Sequence, residues 1–254
     1  MIFKSTFIVL FFLFTMTQIS AQSGVETMLE KAEQLMDEKD ELAALEAYLD
    51  VLEEDPENYD ALWNASLLHS SIGYRYENKN TRKEYYERAQ HLAQKALDFH
   101  EDRVHPYYVM AVAKGRMADL VGVRKRIVLA HSIEDYVIKA LDIMPDHAPS
   151  WHLYGVWQSE VANVRRAERI AARFISSGLP DGSNDKAEEY LKKAMEIDPE
   201  SILIRLDLAR HFIKTGREER AIPILEDLLA LEPNVKDDTK HLQDAKKYLA
   251  DLRE

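Results

Sequence analysis

The stretch that decides the fold is KALDIMPDHAPSWHLYGVW, residues 139–157. It is typical of one amphipathic helix ending, a turn, and a second helix beginning. Pro145 and Pro149 mark the turn, because proline disfavours helix in the residue before it and is favoured in a first helical turn. The same spacing recurs in VLEEDP at 51–56, AMEIDP at 194–199 and LLALEP at 228–233. The chain is therefore predicted to repeat one helix–turn–helix unit.

The composition favours helices throughout the chain. Its 254 residues include only eight glycines and eight prolines, so long loops must be few. Apolar residues recur at helical spacing before three of the prolines, in the sets Ala44, Tyr48 and Val51; Ala187, Leu191 and Ala194; and Ala221, Leu225 and Leu228. We expect an all-α chain of about five helix pairs, with an amphipathic helix at 235–252 covering the last apolar face.

Two helix ends are predicted from local signals. The helix that begins at Tyr59 is expected to end at Gly73 through a left-handed glycine cap, and the helix before Gly216 in the same way. The first helix of the fourth pair is expected to be long, from Trp151 to about Ile175, before a loop rich in glycine, proline and serine at 176–184.

Residues 1–21 are predicted to be a secretory signal peptide. Lys4 supplies the positive charge, residues 7–16 the short apolar core, and Ala21 the small residue before a cleavage point. The apolar run is short for a membrane span, although an uncleaved anchor is an alternative. We expect one repeat domain at 22–254, with no later membrane span.

Composition also limits the cell compartment, the ligands and the activities that we expect for the chain. The chain has no cysteine and a net charge of −12. A cysteine-free exported chain suits a bacterial cell envelope, either periplasmic or secreted, and the acidic balance argues against binding nucleic acid. HEDRVH at 100–105 places its histidines about 140° apart on a helix, so they cannot chelate one zinc ion. With no phosphate loop and no nucleophile motif, we expect neither an enzyme nor a cofactor.

The unit resembles the tetratricopeptide repeat. Pro199 to Pro233 spans 34 residues, and Trp151 and Gly155 fit the aromatic and small positions of that repeat's first helix. The fourth unit is longer, at 54 residues, and the second and third are also extended. This insertion pattern resembles the regulator of microtubule dynamics family, including its bacterial exported relatives. The resemblance implies a right-handed α-solenoid with lengthened middle helices, closed into a cup, and a role in binding.

First helices of such repeats line a concave groove, where we predict that a protein or peptide segment binds. The candidate groove residues are Trp63, Asn64, Arg116, His152 and Arg210. The aromatic residues Trp151, Tyr154 and Trp157 are expected to belong mainly to the core. A chaperone-type carboxylate clamp is not expected, because Leu29 and Glu33 replace its first-repeat Lys and Asn.

A basic segment is the second candidate site. It contains Arg165, Arg166, Arg169 and Arg173, which could hold an anionic ligand such as a phosphate or a carboxylate. The alternative is a set of salt bridges within the chain, for example to Glu168 or Glu160. An alternative function follows from this segment: carriage of a lipid or small anionic amphiphile in a tunnel beside helix 151–175, with Arg165 and Arg169 at its mouth.

Overall fold

The computed structural model describes residues 24–175 and 178–253, and the predicted signal peptide lies outside them. The regular elements of the described residues are helices. They are α1 (24–37), α2 (Glu41–Glu54), α3 (Tyr59–Tyr74), α4 (Lys79–Phe99), α5 (Val104–Ala118), α6 (Val123–Ile143), α7 (Ala148–Ala162), α8 (Arg166–Ala172), α9 (Asn184–Ile197), α10 (Ile202–Lys214), α11 (Glu218–Leu228) and α12 (Asp238–Asp251).

The helices form five pairs and a cap, as the repeat predicts. The pairs are α1–α2, α3–α4, α5–α6, α7–α9 and α10–α11, and α12 closes the array. The three apolar sets that precede the prolines lie in α2, α9 and α11, and all nine side chains are at most 2% exposed. These sets bury three of the five second helices against their neighbours, which confirms the proline-based register.

Contacts between pairs make the molecule an α-solenoid. The first helices contact one another in series, α3 with α5, α5 with α7, α7 with α10 and α10 with α12. The second helices pack on first helices instead, for example α4 on α3 and α5, and α9 on α7 and α10. The first helices therefore line the inner, concave surface.

Gly155 occupies the position where the two helices of the fourth pair cross. A Cβ atom on this residue would lie 2.7 Å from Cγ and 2.9 Å from the backbone nitrogen of Leu191 on α9. Only a residue without a side chain lets the two helices approach so closely. The small position expected in the first helix is confirmed.

Gly73 does not end its helix, contrary to prediction. It lies inside α3, where a Cβ atom would be 2.6 Å from Cβ of Tyr85 on α4. Its lack of a side chain serves helix crossing rather than a turn. Gly216, after α10, has a φ of 68° and is the left-handed cap that the sequence indicates.

The predicted helix from Trp151 to about Ile175 is also wrong, because it consists of α7 and α8 joined at 163–165. Asn163 ends α7: its Nδ2 donates to Asn184 Oδ1 at 2.6 Å and to a carbonyl of the last turn of α7. Arg169 donates to the last two carbonyls of α7 at 3.1 and 3.0 Å. The guanidinium replaces amides that a continuous helix would supply, so α8 turns away and packs on α6.

The solenoid closes on itself through Arg75, the residue that follows α3. Its guanidinium binds the carboxylate of Glu41 at the start of α2. It also donates two hydrogen bonds to Asp237 before α12, at 2.9 and 2.8 Å. Beside it, Lys39 Nζ donates to the carbonyl of Pro233 at 3.1 Å. The first two repeats therefore contact the linker to the last helix, and the array forms a cup.

Replacing Arg75 by alanine is expected to open the cup with little loss of stability. The side chains of Arg75, Glu41 and Asp237 are partly exposed, so their ion pairs should contribute only about 1 kcal/mol to the free energy of folding. We expect the radius of gyration in small-angle scattering to rise by roughly 1–2 Å from a compact value of about 17 Å. Lys83→Ala, in an exposed pair within α4, is the control. An unchanged radius of gyration in Arg75→Ala would contradict closure of the solenoid through Arg75.

Candidate functional site

The concave surface of α3, α5 and the start of α7 carries an aromatic–histidine cluster, which consists of Tyr59, Trp63, His105, Tyr108 and His147. The Trp63 ring stacks on His105 with centroids 4.2 Å apart and planes 13° apart. The Tyr59 hydroxyl lies 2.5 Å from Nδ1 of His105. His147 meets both His105 and Tyr108 edge-on, at 5.4 and 5.2 Å. The cluster joins three successive first helices through ring contacts.

Burial keeps this cluster uncharged at neutral pH. Burial, together with the neighbouring His105, lowers the pKa of His147 to about 4, and burial also lowers the pKa of His105. Burial raises the pKa of Tyr108 to about 12. The cluster therefore presents neutral, polarisable ring faces beside the carboxylate of Asp60, which accepts a hydrogen bond from Trp63 Nε1.

The other end of the concave surface carries a charged network of His152, Asp207, Arg210 and Asp244. One oxygen of Asp207 lies 2.8 Å from His152 Nε2, and the other accepts from Arg210 at 3.0 Å. Arg210 also binds Asp244 of α12 at 2.8 Å. Burial alone would raise the pKa of Asp207, but His152 and Arg210 hold it below its usual range. The network ties α7 to α10 and α10 to α12.

The structure distributes the five predicted groove residues over both clusters and their flanks. Trp63 belongs to the aromatic–histidine cluster, and His152 and Arg210 meet at one carboxylate. Arg116 lies 4.0 Å above the ring of Tyr74 on α3. Asn64 donates to the carbonyl of Asp60 in its own helix. Their role in binding remains a prediction.

Asp207 is the residue that sequence reasoning missed. It lies three residues before Arg210 on α10, and this spacing places both on one helix face. Its second partner, His152, is 55 residues away in the preceding repeat. The sequence signal that could have found it is an acidic residue placed between His152 and Arg210, two candidate groove residues of neighbouring repeats.

The four candidate arginines differ in their contacts. Arg165 and Arg126 both bind Glu168, at 2.8 and 3.4 Å, and Arg169 donates to the carbonyls at the end of α7. The alternative of internal salt bridges therefore describes Arg165. Arg166 and Arg173 are exposed.

The expected core aromatics are largely buried. Tyr154 and Trp157 are 8% and 6% exposed, and Trp157 Nε1 donates to the carbonyl of Ala130 at 3.0 Å. Trp151 is half-buried and lies against Tyr190 of α9, beside a pocket of 270 Å³. None of the predicted groove or anion-site residues lines that pocket.

A buried serine–histidine pair between α7 and α10 lacks the arrangement of a nucleophile and its base. Ser159 Oγ lies 2.8 Å from His211 Nδ1, and Arg217 donates to His211 Nε2 at 2.9 Å. Since Nε2 accepts from Arg217, a neutral His211 carries its proton on Nδ1 and donates it toward Ser159. A general base would have to accept that proton instead. The pair is structural.

Neither a metal-holding cluster nor a membrane-spanning helix occurs in the part of the chain that the structure describes. Within 24–175 and 178–253, no cluster of three or more histidine, aspartate or glutamate side chains has a geometry that could hold a metal ion. In the same residues, no helix has the length and apolar character needed to span a bilayer.

Comparison with known proteins shows which family this chain matches. A model of regulator of microtubule dynamics protein 1-3 matches residues 28–253. Regulator of microtubule dynamics protein 1 of Pongo abelii is 25% identical over 189 residues, covering 72% of this chain and 60% of the relative. That of Bos taurus is 26% identical over 179 residues, covering 69% and 55%. The chain thus spans somewhat over half the length of these relatives.

A solved structure supports the fold independently. A thermophilic TPR protein of Thermus thermophilus aligns with a TM-score of 0.69, covering 89% of this chain and 99% of its own, at 18% identity. At that identity the similarity concerns the fold alone. Because the family model matches nearly the whole described chain, this protein belongs to the regulator of microtubule dynamics protein 1-3 family.

Proposed function

We propose that this chain is a non-catalytic scaffold of the cell envelope that binds a protein segment along its concave surface. The observation that carries the proposal is the pair of side-chain clusters, one aromatic and one charged, that together run from α3 to α12. Both clusters link one first helix to the next, and their side chains other than His147 are partly exposed. Aromatic residues and arginine carry much of the binding energy in protein interfaces.

The two clusters suggest the chemistry of the bound segment. The neutral ring faces of the aromatic–histidine cluster suit an aliphatic or aromatic anchor. The charged network has two carboxylates against Arg210 and His152, so a basic residue suits that end. Three steps between neighbouring first helices, each about 10 Å, correspond to roughly nine extended residues. The preferred segment is therefore short, apolar at one end and basic at the other.

A peptide-display selection with random 12-residue sequences tests the proposal. The mature chain should enrich peptides with that polarity. The double variant Trp63→Ala plus Arg116→Ala should bind them about tenfold more weakly or worse, because interface aromatics and arginines commonly contribute over 1 kcal/mol each. Circular dichroism melting confirms that the variant is folded.

The matched control replaces an exposed aromatic residue and an exposed cation on the outer surface. Phe99→Ala plus Lys83→Ala, both on α4, should leave peptide affinity unchanged. Equal loss in both double variants, or no loss in Trp63→Ala plus Arg116→Ala, would contradict binding in the groove.

The cell-envelope setting is part of the proposal and rests on residues 1–21. Intact-mass measurement of protein purified from its native source should give a chain that begins at Gln22. A chain that retains Met1 to Ala21 would favour the uncleaved anchor instead.

Carriage of a lipid or small anionic amphiphile stays an alternative proposal. The helix expected at 151–175 beside its tunnel is two helices, α7 and α8. Arg165 and Arg169, expected at its mouth, bind Glu168 and the carbonyls of α7.

A further inference from the structure

The corner formed by α8 and the start of α6 has a positive local charge, although the net charge of the whole chain is negative. Residues 121–128 and 165–174 carry seven basic side chains and one acidic one, although the whole chain has 33 basic and 45 acidic residues. α8 packs on α6, and Arg126 of α6 reaches Glu168 of α8 at 3.4 Å. The two segments therefore form one local basic surface.

The outer stripe of α8 combines this charge with exposed apolar side chains. Arg166 and Ile170 are one turn apart on α8 and share one side, and Arg173 and Phe174 follow in the turn directly after the helix. Phe174 is 87% exposed and Ile170 is 46% exposed. On α6, Val128 is 58% exposed one turn after Arg124. No other large apolar side chain among those exposed in 24–175 and 178–253 is as exposed as Phe174.

Internal contacts do not use this stripe. Arg165 pairs with Glu168, and Arg169 donates to the carbonyls at the end of α7. Arg166, Arg173 and Phe174 are exposed. The stripe thus offers exposed cations next to protruding apolar groups.

We propose that the outer stripe of α8, with the start of α6, docks on a membrane surface that contains anionic phospholipid. Arginines at such a surface pair with lipid phosphates, while a protruding phenylalanine enters the boundary between headgroups and acyl chains. A bilayer accepts the ring without a preformed pocket, whereas an acidic protein would need a shaped complement. The acidic remainder of the chain orients this corner toward the lipid.

The test is co-sedimentation of the mature chain with vesicles. Phosphatidylcholine vesicles that contain roughly 30% phosphatidylglycerol should bind the chain at low salt, and pure phosphatidylcholine vesicles should not. Arg166→Ala plus Arg173→Ala should weaken binding by about 30-fold. Lys246→Ala plus Lys247→Ala on α12 changes the net charge equally and should have no effect.

A second measurement locates the contact. Since the chain has no cysteine, Phe174→Cys carries a single environment-sensitive dye, whose emission should shift to the blue on vesicles with phosphatidylglycerol. The proposal is overturned if neither vesicle binds, if both double variants lose binding equally, or if the dye does not respond. It is also overturned if immobilised polyglutamate captures the chain through Arg166 and Arg173 while vesicles do not. These results leave the groove proposal intact, because its variants lie on other helices.

Discussion

Lowering the pH from about 7.5 to about 5.0 is expected to cost roughly 4 kcal/mol of stability through two buried histidines. Burial, with a nearby Arg88, lowers the pKa of His69 to about 4, and His147 has a similar value. The unfolded chain protonates histidine near its usual pKa of 6.5, so it binds more protons than the folded state between the two values. Stability is therefore intact above about 6.5 and falls as the pH drops through this window, by about 2 kcal/mol for each histidine at about pH 5.

The diagnostic comparison is with His147→Asn. Asparagine is a favourable residue at the start of a helix, where His147 precedes α7, so the variant should fold. The side chain faces His105, Tyr108, Ser150 and the charge of Asp146, and these remain. Urea unfolding at the two pH values should show the wild-type loss reduced by about 2 kcal/mol. The raised carboxyl pKa values of Asp119 and Glu134 act in the opposite direction in both proteins. Equal losses in both proteins would contradict the assignment to His147.

Replacing Gly155 by alanine is expected to destabilise the fold by about 2 kcal/mol, even though alanine favours helix. The added Cβ would meet the backbone nitrogen of Leu191 at 2.9 Å, and backbone cannot move aside as a side-chain tip can. The α7–α9 crossing must then widen, which loosens contacts of the fourth pair with its neighbours. Urea unfolding gives the free energy directly.

Gly115 provides a control in the last turn of α5. No atom lies within 4 Å of the Cβ it would acquire, so Gly115→Ala should stabilise by about 0.5–1 kcal/mol. Both substitutions replace a helical glycine by alanine. The difference between their changes in the free energy of unfolding therefore isolates the cost of widening the α7–α9 crossing. A stabilised Gly155→Ala would mean that the helices do not approach as closely as described.

Much of the fold was predictable because it follows from short-range patterns. Proline spacing gave the pairs, and the apolar sets gave the buried faces, since each depends only on helical periodicity. The two errors at Gly73 and at 163–165 have a common cause. Whether a glycine caps a helix or lies at a helix crossing, and whether a helix continues, depended on partners in other helices: Tyr85, Asn184 and Arg169. Local sequence does not contain those contacts.

The site was predictable only in outline. The repeat indicated which helices face inward, and so pointed to Trp63, His152 and Arg210. It did not show that Asp207 binds two of them, or that burial makes the histidines neutral, because both depend on contacts between repeats. Likewise, the spacing of the arginines did not show which would be engaged by α7.

The most direct test of the central claim is hydrogen–deuterium exchange of residues 22–254 with a peptide selected by display. Binding along the concave surface should slow exchange in the first helices α3, α5, α7 and α10, and leave the outer faces of α4, α9 and α11 unchanged. The same peptide should produce no such protection in Trp63→Ala plus Arg116→Ala. Protection confined to the second helices, or unchanged in that variant, would contradict the account.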